Sequence, residues 1–114
     1  MRKVEIPRTY ISGQADSVMM LTEDVPGERM LGGDMVLIRQ LHNDSSKLKD
    51  GHLYAVRVRG QDTDRLYRIR SLEGRKVCLY LSGFSSVVSL DDIYIMAEAL
   101  GFQSLVVSPE EVIA

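Results

Sequence analysis

Four short apolar segments, each bounded by turn-forming residues, occupy the middle of the chain. They run from 35 to 41 (MVLIRQL), 52 to 59 (HLYAVRVR), 65 to 72 (RLYRIRSL) and 75 to 82 (RKVCLYLS). Each is rich in β-branched and aromatic residues and has Gly, Asp, Asn or Ser at its ends, a pattern that predicts β-strands. Glu73-Gly74 separates the last two segments, and this two-residue connection predicts a tight hairpin with a positive φ at the glycine.

The flanking segments give mixed signals. VMMLTED (18–24) predicts a further strand, and Pro26 and three glycines predict an irregular loop through residues 23–33. Residues 42–51 and 82–89 are polar or rich in Gly and Ser, which predicts connections. In residues 89–101 a capping-box pattern favours a helix, and a Ser-Pro-Glu-Glu sequence near the C-terminus predicts a short helical turn.

Length and composition predict one folded domain over residues 1–114, because 45% hydrophobic and 26% charged residues are ordinary globular values. No apolar run approaches the length of a membrane span, and the first residues lack the apolar core of a signal peptide. We therefore expect a cytoplasmic protein with no membrane partner. The net charge of −2 is not typical of a domain that binds nucleic acid through its phosphates.

The only cysteine, Cys78, excludes an internal disulfide and a multi-cysteine zinc site, and its apolar surroundings predict a small core residue. His42 and His52 flank a polar loop, but a metal site needs three or four converging ligands, so we expect surface histidines and no metal. No sequence feature indicates a cofactor. Five methionines are expected to pack in the core, with an exposed subset as an alternative partner surface: Met19, Met20, Met30, Met35 and Met96.

Positive charge is concentrated in residues 57–76, where seven basic residues stand against three acidic ones and leave a net charge of −6 for the rest of the chain. Two arginine pairs have strand spacing, so each pair is expected to share one face of a strand: Arg57 with Arg59, and Arg68 with Arg70. A solvated outer face is the simpler interpretation. A patch for an acidic protein partner is the alternative.

Two Gly/Asp turns introduce predicted strands in a fixed order. Gly33-Asp34 precedes MVLI, Asp50-Gly51 precedes HLYAV, and Leu66-Tyr67-Arg68-Ile69 and an Arg/Lys-Val-x-Leu strand follow. This order resembles the C-terminal domain of LexA and phage-repressor proteins, a superfamily of self-cleaving serine peptidases that includes UmuD. The resemblance covers residues 16–102, with a short tail over 103–114, and implies a mostly β domain of short, largely antiparallel strands of the β-clip type.

The resemblance also bears on the ambiguous segment 89–101. The family ends in a strand of the form apolar-x-apolar-x-Gly-x-Val, to which residues 93–101 (IYIMAEALG) roughly correspond. We therefore expect a strand there, against the local helix signals. In the turns, the Asp side chain is expected to accept backbone hydrogen bonds while the glycine adopts a φ that other residues resist.

The family's chemistry needs a serine nine residues before the glycine of the Gly-Asp turn and a neutral lysine in the fourth motif as its general base. The matching positions here are Asp24 and Tyr67. A carboxylate and a phenol do not reproduce a serine activated by a neutral amine. The family's scissile Ala-Gly or Cys-Gly dipeptide is also absent from the chain. The sequence therefore predicts a pseudo-enzyme that retains the peptidase fold without its activity.

Three functional hypotheses remain. The first is a non-catalytic regulatory and dimerisation domain of a transcriptional regulator of the phage-repressor type, a homodimer that meets DNA only through a separate helix-turn-helix domain. The second is a self-cleaving peptidase with Ser17 as nucleophile, sixteen residues before Gly33, in a sequence that mimics the family's Asp-Ser-Met. The third is a free-standing β module that binds an acidic protein through its arginine pairs.

Overall fold

The described residues form a single eight-stranded antiparallel sheet. A computed structural model describes the backbone of residues 2–4 and 15–103 and the side chains of residues 15–102. The strands follow one another along the chain as β1 (Arg2–Val4), β2 (Ser17–Met20), β3 (Met35–Gln40), β4 (Leu53–Val58), β5 (Arg65–Leu72), β6 (Lys76–Leu81), β7 (Phe84–Ser89) and β8 (Ile93–Gln103). Their order across the sheet is β1-β2-β3-β8-β4-β5-β6-β7.

The mostly β fold and the four strands expected in the middle of the chain are confirmed by β3, β4, β5 and β6. The predicted hairpin between the last two also forms, but its loop has three residues because Leu72 pairs with Lys76. Gly74 has the expected positive φ of 72°, and Arg75 follows with a φ of 60°. The loop is one residue longer than predicted because Arg75 adopts a left-handed conformation in place of joining the strand.

The two flanking segments have different outcomes. The strand expected from residue 93 onward is confirmed as β8, and the local helix signal produces only a 3₁₀ turn over Leu90–Asp92, in which the Ser89 side chain accepts from the Asp91 N–H. The connection expected over 82–89 is wrong: only Ser82 and Gly83 form a turn, and β7 follows directly. The helical turn expected from Ser108 lies outside the described residues.

Strand β8 joins the two halves of the sheet, since it pairs with β3 on one side and β4 on the other. The register of each ladder shifts once. Gly101 and Ala99 lie opposite consecutive residues of β3, and Ala97 and Ile95 lie opposite consecutive residues of β4. Leu100 and Met96 are therefore extra residues, and bulges of this kind bend a strand and increase its twist.

The bent sheet encloses two apolar clusters. β4 contributes to both, because Leu53 and Ala55 point to one cluster and Tyr54 and Val56 to the other. Met19, Val36 and Ile38 complete the first cluster with side chains from the 21–34 loop, and Ile69, Leu79 and Ile95 belong to the second. A strand buried on both faces needs consecutive apolar residues, as in the LYAV sequence of β4.

Two individual side chains refine the predicted core. Tyr54 is fully buried, its hydroxyl oxygen accepts from the Lys49 N–H at 2.7 Å, and burial raises its pKa. Cys78 was expected in the core and is instead half-buried, because Val77 and Leu79 on either side of it point inward. Its Sγ lies 3.3 Å from the Ser85 Oγ. Of the methionines, Met19 and Met30 are buried as expected.

In the described portion of the chain, no helix has the length and apolarity that crossing a bilayer requires.

Candidate functional site

An apolar cavity of about 250 Å³ opens between the loop that follows β2 and the start of β5. Its walls come from three parts of the chain that are distant in sequence: the loop at residues 21–26, residues 64–67 entering β5, and Leu81 with Phe84 on either side of the β6–β7 turn. Asp24 and Tyr67 both line this cavity. The two positions that the family resemblance assigns to its nucleophile and base therefore border one concave site.

The loop that carries Asp24 is held by its own backbone contacts. The Asp24 carboxylate accepts from the Gly32 N–H at 2.8 Å, and the Val25 N–H donates to the Met30 carbonyl at 3.0 Å. Val25 and Met30 are buried in the first apolar cluster. Asp24 is thus fixed as a hydrogen-bond acceptor at the rim, with an exposed side chain.

Two further contacts tie this loop to the sheet. The Glu28 carboxylate accepts from the Arg68 Nε at 2.9 Å and from its Nη2 at 2.7 Å, a bidentate pair that raises the pKa of Arg68. Gly27, with a φ of 77°, lies so close to the β6–β7 turn that an added Cβ would be 2.3 Å from the Ser82 Cβ. The cavity wall therefore depends on a residue without a side chain at position 27.

Tyr67 forms the opposite wall. It is buried on β5, and its ring centroid lies 5.6 Å from that of Phe84 with the planes inclined at 34°. Phe84 is 46% exposed and borders the cavity beside Leu81. This wall is aromatic and apolar, which favours an apolar group in any occupant of the cavity.

The rim of the cavity carries more negative than positive charge. Glu23, Asp24 and Asp64 line it together with Arg65, whose Nε lies 3.4 Å from the Glu23 Oε1. Both members of that pair are largely exposed, so it contributes little to stability. An occupant with a positive or neutral polar edge suits this rim better than an anionic one.

Ser17 is separate from the cavity. It is buried on β2, where its hydroxyl donates to the Asp16 carboxylate at 3.0 Å and accepts from the Gln40 side-chain amide at 3.4 Å. The Asp16 carboxylate in turn accepts from the Gln40 backbone N–H. Among the hydrogen bonds of the described residues, no amine reaches Ser17, so the partners that are present do not activate it as the family's lysine would.

The glycines of the two Gly/Asp turns have similar φ angles, and the two aspartates accept backbone hydrogen bonds from different parts of the chain. Gly33 and Gly51 have φ angles of 94° and 83°, in the region that favours glycine. The Asp34 carboxylate accepts from the Leu31 N–H at 2.9 Å, and the Asp50 carboxylate accepts from the Ser71 N–H at 2.8 Å. The first bond closes the loop before β3, and the second fastens the turn before β4 to the far end of β5.

Arg57, Arg68 and Arg70 lie on one face of the sheet and Arg59 follows the end of β4, but the four do not form one patch. Leu53 lies opposite Arg68, and Arg57 lies four residues further along β4, about 13 Å at the usual rise per residue. Three of the four have acidic partners: Arg57 with Asp64, Arg59 with Asp92, and Arg68 with Glu28. Arg70 lies over the Tyr80 ring at 5.5 Å. The geometry favours the solvated-face interpretation over a docking patch.

A cluster of charged groups that sequence reasoning missed lies at the centre of the sheet. Glu98 on β8 is 2% exposed, one of its carboxylate oxygens bonds to the Arg39 guanidinium, and the other lies 2.7 Å from the His52 Nδ1. His52 was interpreted as a surface histidine, and its side chain is half exposed at the edge of the cluster. The available signal was the single acidic residue within the apolar segment from Ile93 to Phe102.

Across the described side chains, 15–102, no three His, Cys, Asp or Glu residues converge as metal ligands. In the Arg39–Glu98–His52 cluster, an ion pair with a buried carboxylate connects β3 to β8, and the imidazole of the residue before β4 lies at its exposed edge.

Comparison with known proteins gives no family assignment: no protein-family model matches the chain, and no curated protein matches it either. The fold and site alone define the class, which is a small antiparallel β domain with an apolar, acid-rimmed cavity. The Asp24 carboxylate and the Tyr67 phenol belong to residues that line this cavity. This arrangement offers an apolar volume with carboxylate groups at its rim.

Proposed function

We propose that this chain is a non-catalytic LexA-like regulatory and dimerisation domain of a cytoplasmic transcriptional regulator. The observation that supports it best is that Asp24 and Tyr67 line the same cavity. The alignment by Gly/Asp turns names these two positions independently of any geometry. Two positions chosen by a chance resemblance would not be expected to border one concave site.

In this proposal the domain acts through avidity. A homodimer holds two DNA-reading domains close together, so that the second half-site is bound in an intramolecular step at a high effective concentration. The domain itself makes no base contacts, in keeping with its net charge of −2 and its arginines' acidic partners. The cavity then serves as a place where a ligand or protein segment changes the dimer, without bond cleavage.

The regulator part of the proposal predicts a longer native polypeptide. With an antibody raised against this domain, the protein in its source cell should be larger by about 60 to 100 residues, the size of a small DNA-binding domain. The measurement is the mass of the immunoprecipitated protein. A native species of the mass of this chain alone would contradict a covalently attached DNA reader.

The cavity part of the proposal predicts that the chemistry can be restored. In an Asp24→Ser/Tyr67→Lys variant, the lysine would replace a side chain that lines the cavity together with Leu21, Leu81 and Phe84. Desolvation there favours the neutral amine, which can accept the serine proton. We expect this double variant to be labelled by a serine-reactive fluorophosphonate probe, with intact-protein mass spectrometry as the readout, and the wild type to stay unlabelled.

The single variants Asp24→Ser and Tyr67→Lys are the matched controls, since each supplies only half of the dyad and should remain unlabelled while circular dichroism shows the native fold. A folded but unlabelled double variant would count against a LexA-type cavity. Labelling of the wild type that Ser17→Ala removes would instead establish the peptidase hypothesis with Ser17 as nucleophile.

A further inference from the structure

Strand β7 forms one edge of the sheet and has an unusual composition for that position. Its six residues, FSSVVS, include no charge and no proline. Val87 is 59% exposed and Phe84 46% exposed. Within the described part of the chain, β7 pairs with β6 alone, so its outer edge presents backbone groups to any strand that approaches.

Natural sheets usually protect such an edge with lysine, proline or a bulge. The opposite edge follows this rule in sequence, since the three residues of β1 include Arg2 and Lys3. β7 has none of these features, and its ladder with β6 runs through six consecutive pairs without a register shift. An edge that is regular, uncharged and partly apolar is suited to strand addition.

The hydrogen bonds between β6 and β7 identify the backbone groups of β7 that point away from β6. The Leu90 N–H donates to the Arg75 carbonyl at 2.9 Å, on the side that faces β6. Along an antiparallel strand, the backbone groups of successive residues point alternately toward and away from one neighbouring strand. The N–H and C=O groups of Phe84, Ser86 and Val88 therefore also bond to β6. The N–H and C=O groups of Ser85, Val87 and Ser89 therefore point away from the sheet.

We propose that β7 is the dimer surface, and that two copies of this chain pair antiparallel through this strand about a two-fold axis at Val87. The inference rests on the homodimer of the proposed function and specifies its interface. In this register Val87 lies opposite the partner's Val87, and Ser85 lies opposite the partner's Ser89. Each of these pairs exchanges two backbone hydrogen bonds, and every outward group of β7 is used.

Side chains support the same register. The two exposed Val87 side chains meet on the outer face, and Phe84 comes next to the partner's Leu90 at both ends of the strand. No like charges meet across the axis within β7, because Phe84–Ser89 contains no ionisable residue. The result is a continuous sheet of two domains in which the exposed apolar groups of β7 become partly buried.

A symmetric disulfide tests the register directly. A hydrogen-bonded antiparallel pair has Cα atoms about 5.5 Å apart, within the range that a disulfide spans. In a Cys78→Ser background, which removes the cysteine opposite Val87, we expect Val87→Cys to form a covalent dimer under mild oxidation. Leu31→Cys in the same background is the control, since Leu31 is similarly exposed on the 21–34 loop and should not crosslink.

Sedimentation of the full chain over a concentration series separates this inference from the proposed function. A dimeric wild type that Val87→Lys converts to a monomer, with an unchanged circular dichroism spectrum, supports β7 as the interface. A dimer that survives Val87→Lys, or crosslinking equal at Val87→Cys and Leu31→Cys, overturns the β7 assignment and leaves the homodimer standing. A monomeric wild type overturns both the interface and the dimer, while the probe-labelling experiment still judges the cavity on its own.

Discussion

Replacing Arg39 with methionine is expected to lower the free energy of unfolding by about 3 kcal/mol, because it leaves a buried carboxylate without its main counter-ion. Glu98 is 2% exposed and would keep only His52, whose imidazole is half exposed. Methionine preserves most of the apolar stem of the arginine, so the loss reports the charge and its hydrogen bond. Chemical denaturation with urea measures the change.

Two comparisons make this result specific. Arg75→Met removes one member of the Arg75–Asp91 pair, whose side chains are 67% and 72% exposed, and should cost less than about 1 kcal/mol. The double variant Arg39→Met/Glu98→Met replaces the buried pair with apolar groups and should recover most of the loss. A double variant as unstable as the sum of its two single variants would show that Arg39 and Glu98 are not energetically coupled.

Gly27→Ala is expected to destabilise the domain by about 3 kcal/mol and to displace the wall of the cavity. An alanine at this position is strained by the left-handed φ. Its Cβ would also lie 2.3 Å from the Ser82 Cβ, so either the 21–34 loop or the β6–β7 turn must move. Urea denaturation gives the stability change. Hydrogen exchange at the Val25 N–H, which donates to Met30, reports the loop.

Gly60→Ala supplies the matched control, because Gly60 has a similar φ of 86° with nothing within 4 Å of an added Cβ. Gly60→Ala should lower the free energy of unfolding by about 1 to 2 kcal/mol, the cost of a left-handed φ for alanine. Adding Ser82→Gly to Gly27→Ala removes the clashing atom. The stability that Gly27→Ala loses beyond the loss in Gly60→Ala should then be recovered. Equal costs at Gly27 and Gly60 would mean that the close approach to Ser82 carries no energy.

The alternation of apolar and polar residues, together with the turn-forming residues, predicted most of the sheet, and each failure has a physical cause. The central strands were predictable because their apolar residues must be buried on a face of the sheet, and in β4 both faces are buried. β7 escaped prediction because three of its six residues are serines and Phe84 follows a Ser-Gly turn, so its composition is that of a loop. Its strand conformation comes from pairing with β6, which is a tertiary effect.

The candidate site was predictable only where a motif carried it. Asp24 and Tyr67 were found by counting from the Gly/Asp turns, although nothing in their own neighbourhoods indicates that they share a cavity. The Arg39–Glu98–His52 cluster was not predicted, because its members come from β3, β8 and the residue before β4, and the order of these strands in the sheet is not their order in the chain. Local sequence patterns do not encode that crossover.

The position of β8 between β3 and β4 also determines when the domain can fold. Along β8, Ala99 pairs with Ile38 and Ala97 pairs with Ala55, so the two halves of the sheet are joined only through contacts distant in sequence. Hairpins such as β5–β6 can form early, but closing such long loops is slow. During synthesis the nascent chain must keep its apolar strands exposed until β8 has left the ribosome, a period in which the domain depends on protection from aggregation.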